Sequence, residues 1–195
     1  MLKTQLQPIQ EKWLAQIKRL PFLQGLQQGH LSQTTRDFYV AQDEYYIAHF
    51  MAVTEQIKAL PTTNDENLDE GDAHLGLNPS PDWVNCAITD ESKAYVYFLE
   101  SGPKTDDVVQ LLRTIPCAES YYLLALSMQN QPHGHQYQAW IDYYTSPAYQ
   151  DAVTRYLATL QELVEARGFS LQANELAIYE KGYQFEFSFW EQCPD

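Results

Sequence analysis

The chain has 195 residues, with 26 Asp and Glu against 12 Lys and Arg and a formal net charge of −14. That length is enough to bury a substantial core, and that charge repels polyanions, which excludes nucleic acids and anionic membrane surfaces as main partners. No apolar run approaches the ~20 residues needed to cross a bilayer, and the start MLKTQLQPIQEKW lacks the apolar segment of a secretion signal. A cytosolic protein of one domain is expected.

Trp13, Leu14, Ile17, Leu20 and Leu23 recur at helical spacing between Pro8 and Leu26, which predicts one or two short amphipathic helices bent or restarted at Pro21. Gly29 ends that segment. Ser32 is placed to cap a long helix running to about Leu60, with Phe38, Ala41, Tyr45, Phe50, Val53 and Ile57 among its apolar positions. The acidic, turn-rich stretch from Pro61 to Asp90 reads as loop, with room for a short helix between Asn67 and Leu77.

Helical periodicity returns over Ser92 to Leu99, Thr105 to Met128, Gln136 to Tyr144 and Pro147 to Arg167, where Gly168 supplies a C-cap. A last helix is expected from about Gln172 to Trp190, with NELAIYEKG inside it as the one segment that could instead form a strand. No internal repeat, phosphate-binding glycine loop or βαβ alternation is present. An all-α bundle of about seven to nine helices follows.

Several segments carry residues suited to chemistry. Asp43 and Tyr46 lie three apart in the long helix, so they share a face and could together hydrogen-bond a polar ligand, although a helical Asp is more often a solvated charge. Cys117 follows Pro116 and precedes Tyr121 by about one turn. With Pro116 in a first helical turn, the helix N-terminus would lower the thiol below its usual pKa of about 8.5 and make a nucleophile; a lone cysteine is otherwise a small buried hydrophobe. Trp140 and Tyr144 share a helix face. Glu186, flanked by Phe185, Phe187, Phe189 and Trp190, is a carboxyl that desolvation would keep protonated near neutrality, or an edge glutamate pointing outward.

The three cysteines, Cys86, Cys117 and Cys193, have neither disulfide nor zinc spacing. Cys86 is expected to be a loop or core thiol and Cys193 a frayed terminal one. Glu66, Glu70 and His74 begin a metal-type pattern that no later Glu-x-x-His completes, and His133 and His135 sit in an apparent loop, so no metal is expected. The 14 Tyr and 4 Trp suit a pocket for a flat polar ring, though most must simply fill the core.

Read in order, Pro21-Phe22, Gly29-His30-Leu31, Gln42-Asp43 with Tyr46, Ala94-Tyr95, Pro116-Cys117 with Tyr121, Trp140-Ile141-Asp142 with Tyr144, and Glu186 with Phe189-Trp190 resemble the signature series of the TenA / thiaminase II family. The resemblance spans almost the whole chain. It implies a haem-oxygenase-like helical fold that binds no haem, a homo-oligomer (tetramer or dimer), and hydrolysis of aminopyrimidines in thiamin salvage without metal or organic cofactor.

By the same resemblance Cys117 is the nucleophile and Glu186 the acid and base. Asp43 binds the ring nitrogen and amino group of the small-molecule pyrimidine, Tyr46, Tyr95, Tyr121 and Tyr144 line the pocket, and Phe189 stacks on the ring. The chain departs from the family pattern in its 61–90 stretch, at Val96, and at Ala118-Glu119, where a charge is expected near the thiol. Two other functions are compatible with the residues: a pyrimidine-binding or regulatory protein without catalysis, and a metal-dependent oxidase on the same scaffold.

Overall fold

The computed structural model describes residues 2–60, 74, 76–130 and 136–194. Among these residues the secondary structure is helical throughout: α1 (Leu2–Ile17), α2 (Pro21–Gln28), α3 (Gln33–Thr54), a 3-10 turn (Pro81–Asn85), α4 (Asp90–Glu100), α5 (Asp107–Met128), α6 (Gln138–Tyr144), α7 (Pro147–Ala166) and α8 (Ala173–Glu191).

Local chemistry explains the boundaries. Pro21 occupies the first turn of α2, where its missing N–H costs nothing, and Gly29 ends the helix at φ 76, a left-handed conformation that a side chain would resist. The Ser32 hydroxyl accepts the Thr35 N–H at 3.0 Å and starts α3. The expected run to Leu60 stops at Thr54. Beyond it the chain tightens into turns in which Ile57 N–H reaches Thr54 and Leu60 N–H reaches Ile57, and the Asp107 carboxylate accepts Ala59 N–H at 2.9 Å.

Pro8 lies inside α1 rather than at its start, because Leu2 and Leu6 are buried and carry the apolar face back to the chain's first residues. The segment NELAIYEKG is helical, not a strand. Glu175, Tyr179, Gly182, Tyr183 and Glu186 fall on the buried face of α8 at steps of three and four, a period that no strand can present to one side. Gly168 takes φ 76 just after α7, as expected of a residue ending a helix. The expected short helix between Asn67 and Leu77 falls largely outside the described residues, as do His133 and His135.

Helices α5 and α8 form the central pair. α1 packs on α8, α6 and α7 on α5, and α4 on α3. The pair approaches closely at one point: a Cβ on Gly182 would lie 2.6 Å from Pro116 Cγ. Only glycine fits there. The close approach sets Cys117, the residue after Pro116, within about one turn of the level of Glu186, which Ser120 of α5 meets at 2.9 Å.

No helix among the described residues is long and apolar enough to cross a membrane.

Candidate active site

Asp43 and Glu186 are each 1% exposed, so neither is the solvated or outward-pointing carboxylate that its position also allowed. Burial of two carboxylates is costly unless their oxygens are satisfied. Both are.

Glu186 accepts the Tyr95 hydroxyl on Oε1 at 2.5 Å and the Ser120 hydroxyl on Oε2 at 2.9 Å. Desolvation raises its pKa to about 7, with the Asp43 charge adding to the rise and the Tyr95 and Ser120 bonds opposing it. A carboxyl poised there can give and take a proton near neutral pH.

Asp43 accepts Tyr121 OH on Oδ1 at 2.9 Å and Tyr39 OH on Oδ2 at 3.0 Å, while His74 Nε2 lies 2.6 Å from Oδ2. Tyr39 stands one turn before Asp43 on α3, and Tyr121 comes from α5. The carboxylate is thus fixed from two helices and from His74.

Aromatic rings surround these groups. The Tyr46 and Tyr95 ring centroids are 4.5 Å apart, and Phe189 lies 6.0 Å from Tyr46. Tyr121 contacts both Tyr144 and Trp190 at 4.8 Å, and Trp190 stacks on Tyr39 at 5.5 Å. The buried Tyr46 hydroxyl makes no hydrogen bond of ordinary geometry, although it lies near enough to Tyr95 to influence its titration. An orphaned hydroxyl of this kind in an aromatic wall is an attachment point for a polar ligand.

Cys117 is buried, and a negative charge on its sulfur is felt at both Tyr46 and Tyr95, whose hydroxyls are pushed well above their ordinary pKa, first by desolvation. The thiol, Glu186, Tyr46 and Tyr95 therefore form one electrostatic cluster. All eight candidate residues are buried: Asp43, Tyr46, Tyr95, Cys117, Tyr121, Tyr144, Glu186 and Phe189.

Two expectations around the thiol are corrected. Pro116 lies in the middle of α5, not in a first turn, so Cys117 gains nothing from a helix N-terminus. The interior proline instead removes one helical hydrogen bond just before the thiol. Glu119 is buried but does not join the thiol's cluster. Its Oε1 accepts the hydroxyls of Tyr179 and Tyr183, the latter at 2.8 Å, and its Oε2 accepts Gln10 Nε2 at 2.9 Å. Two residues past Cys117, its side chain leaves α5 on a different face, toward α1 and α8.

Ser120 and Tyr39 are not among the expected site residues, and His74 is weighed there only as a metal ligand, not as a partner of Asp43. Ser120 and Tyr39 were detectable as helical neighbours of Cys117 and Asp43, at three and four residues. Nothing local to His74 points to Asp43, 31 positions away. No disulfide joins the cysteines, and Cys193 is buried rather than frayed, with desolvation pushing its thiol pKa up. Among the described residues no three His, Cys, Asp or Glu side chains gather to hold a metal; Glu66 and Glu70 lie outside those residues.

The family model for the TENA/THI-4/PQQC family matches residues 72–194, more than half of the chain and the part that holds α4 to α8. The chain belongs to the TENA/THI-4/PQQC family. The aminopyrimidine aminohydrolase of Bacillus subtilis is 24% identical over 188 residues, covering 87% of this chain and 80% of that protein. The thiamine biosynthesis multifunctional protein ThiED of Corynebacterium efficiens is 25% identical over 204 residues, covering 92% of this chain, which spans only 26% of that longer protein.

Among solved structures, the TenA homologue from P. horikoshii OT3 superposes with a TM-score of 0.78 at 23% identity, covering 99% of this chain and 98% of that one. The TenA fold is therefore the fold of this chain.

Proposed function

We propose that this TenA-family protein is an aminopyrimidine aminohydrolase. In this reading it converts 4-amino-5-aminomethyl-2-methylpyrimidine to the 5-hydroxymethyl compound and releases ammonia. The observation that carries the proposal is the pairing of two buried carboxylates of different character, Asp43 held by hydrogen-bond donors and Glu186 raised to about 7, around a cysteine and a tyrosine-lined wall.

The chemistry follows from those roles. Asp43 accepts the N–H groups of the aminopyrimidine and orients the ring between Tyr46, Tyr121 and Phe189. The Cys117 sulfur, as thiolate, adds to a ring carbon, and the ring's electron pair is driven toward the exocyclic methylene. The methylene C–N bond breaks, and Glu186 gives its proton to the departing amine. Water then adds to the methylene carbon as Glu186 takes its proton back, and the C–S bond breaks to restore the aromatic ring. The net change is amine plus water to alcohol plus ammonia.

Tyr95 and Ser120 hold Glu186 in place through both steps. Thiamin offers the same pyrimidine with a thiazole as leaving group and is the second substrate of this reading.

The test is ammonia release from the aminomethylpyrimidine by the purified protein in the presence of a chelator. Turnover that resists chelation supports the proposal and removes the metal-dependent oxidase. Cys117 lacks helix N-terminal activation, and this favours one alternative: a protein that binds the pyrimidine without turning it over. Calorimetric binding without ammonia release would select it.

A further inference from the structure

His74 is 3% exposed and lies between two carboxylates of adjacent residues on α3. Its Nε2 is 2.6 Å from Asp43 Oδ2, and its Nδ1 is 2.6 Å from Glu44 Oε1. A neutral imidazole has one N–H and one lone pair. Placed here, it would turn its lone pair on a carboxylate oxygen at 2.6 Å. Two N–H donors satisfy both short contacts with both side chains as carboxylates.

The surroundings agree with a cation. Among the described residues, the groups facing the ring are Asp43 and Glu44 from α3 and the edge-on ring of Tyr39, 6.2 Å away. Burial opposes the charge, yet the bonds to both carboxylates outweigh it and lift the His74 pKa to about 10, while the same contact lowers that of Glu44.

We infer that His74 is a positioning and specificity residue: an imidazolium that spans Asp43 and Glu44 and keeps Asp43 an acceptor-only carboxylate, so that the site takes only ligands whose ring edge donates N–H. The inference rests on the reading of Asp43 as the ring-binding group.

The hydrogen bonds already made to Asp43 sharpen this. Oδ2 is occupied by Tyr39 and His74, and Oδ1 accepts only Tyr121 among the described contacts. The remaining capacity of Oδ1 is a lone pair, which an amino N–H or a protonated ring nitrogen satisfies and a carbonyl or methyl edge does not. Without His74, Asp43 Oδ2 loses its charged donor and the side chain is held by Tyr39 and Tyr121 alone, free to turn its oxygens away from the ring edge. Selection for an amino-bearing ring is then weakened even with Asp43 in place.

Two readouts test the inference together. Nitrogen-resolved NMR of the His74 ring at pH 8, with no ligand, is expected to find both nitrogens protonated in the wild type and the second proton lost in Glu44→Gln or Asp43→Asn. A singly protonated ring in the wild type overturns the inference whatever the ligand does.

Binding of 4-amino-2-methylpyrimidine is then compared with 2,4-dimethylpyrimidine, its methyl isostere, in the wild type and in His74→Gln. Gln can still donate one N–H to Asp43 but carries no charge. The expected result is a preference for the amino compound that falls by about tenfold or more in His74→Gln, with the helical circular dichroism of the variant at pH 8 showing that it is folded.

An unchanged preference, or an equal loss for both compounds, overturns the specificity role. Failure of the wild type to bind either compound, with a doubly protonated His74, would instead strike the proposed function and leave the imidazolium clamp standing as a structural device.

Discussion

Gly182 and Pro116 meet where α8 crosses α5, so closely that a single methyl group on Gly182 would stand 2.6 Å from the proline ring. Pro116 is the neighbour of Cys117, and Gly182 is one turn from Glu186. The contact that lets the two central helices touch is therefore also what brings the thiol's helix to the carboxyl's helix.

Gly182→Ala is expected to destabilise the protein by about 1–3 kcal/mol through overpacking, even though alanine is the better helix former. Chemical denaturation measures it. Combining Gly182→Ala with Pro116→Ala should recover part of the loss, since Cγ and Cδ of the ring are removed. Two independent, additive losses would show that the helices do not touch as described.

Buried acids make this protein less stable as pH rises. Glu119 and Glu186 both have pKa values raised to about 7 by desolvation. In the unfolded chain they ionise near pH 4.5, so the folded state holds more protons between about pH 4.5 and 7, and stability falls across that window. His74, raised to about 10, adds stability that is complete below about pH 6.5 and is lost as pH rises toward 10. Melting temperature should therefore decline in two steps from pH 5 to pH 10.

Glu119→Gln isolates the first step. An amide oxygen still accepts the hydroxyls of Tyr179 and Tyr183, but no charge has to be buried. The variant should be about 1–3 kcal/mol more stable than the wild type at pH 8 and nearly equal to it at pH 5, and its activity should be unchanged. Equal stabilities at both pH values would contradict the buried charge.

Tyr95→Phe removes the hydroxyl that Glu186 accepts. That bond lowers the Glu186 pKa, so its loss raises it. Because the proposed mechanism uses the protonated carboxyl to release the amine, the alkaline limb of kcat/KM should move to higher pH, while the rate falls about tenfold or more from loss of positioning. A pH–rate profile measures both. A limb that moves down in pH would contradict the assignment.

Tyr121→Phe takes one of the donors from Asp43 Oδ1 and leaves Glu186 untouched. The expected effect is about a tenfold rise in KM with a smaller change in kcat, the pattern of lost ring binding rather than lost proton transfer.

Much of this site was legible in the chain, and the exceptions have physical causes. Apolar spacing places Asp43, Tyr46, Cys117, Tyr121, Tyr144, Glu186 and Phe189 on helices, while their choice as site residues rests on the family resemblance; the structure buries all of them. That same periodicity decides the NELAIYEKG segment, where steps of three and four override one β-branched residue.

The helical spacing from Thr105 to Met128 already runs through Pro116, and the buried Val108, Leu111, Leu112 and Ile115 face shows that the proline interrupts the helix. What could not be read is what depends on packing between distant segments. The direction of Glu119 depends on Tyr179 and Tyr183, 60 or more residues away. His74 reaches Asp43 across 31 positions from a stretch whose composition says only turn and acid.

The most direct test of the central claim, that Cys117 and Glu186 act as one hydrolytic unit, is ammonia release from 4-amino-5-aminomethyl-2-methylpyrimidine by the wild type, Cys117→Ser, Glu186→Gln and the double variant. Each single change is expected to reduce kcat by about a hundredfold or more, and the double variant to be little worse than either, because residues that act as a unit are strongly non-additive. Wild-type-like turnover in Cys117→Ser, or losses that simply multiply in the double variant, would contradict the account.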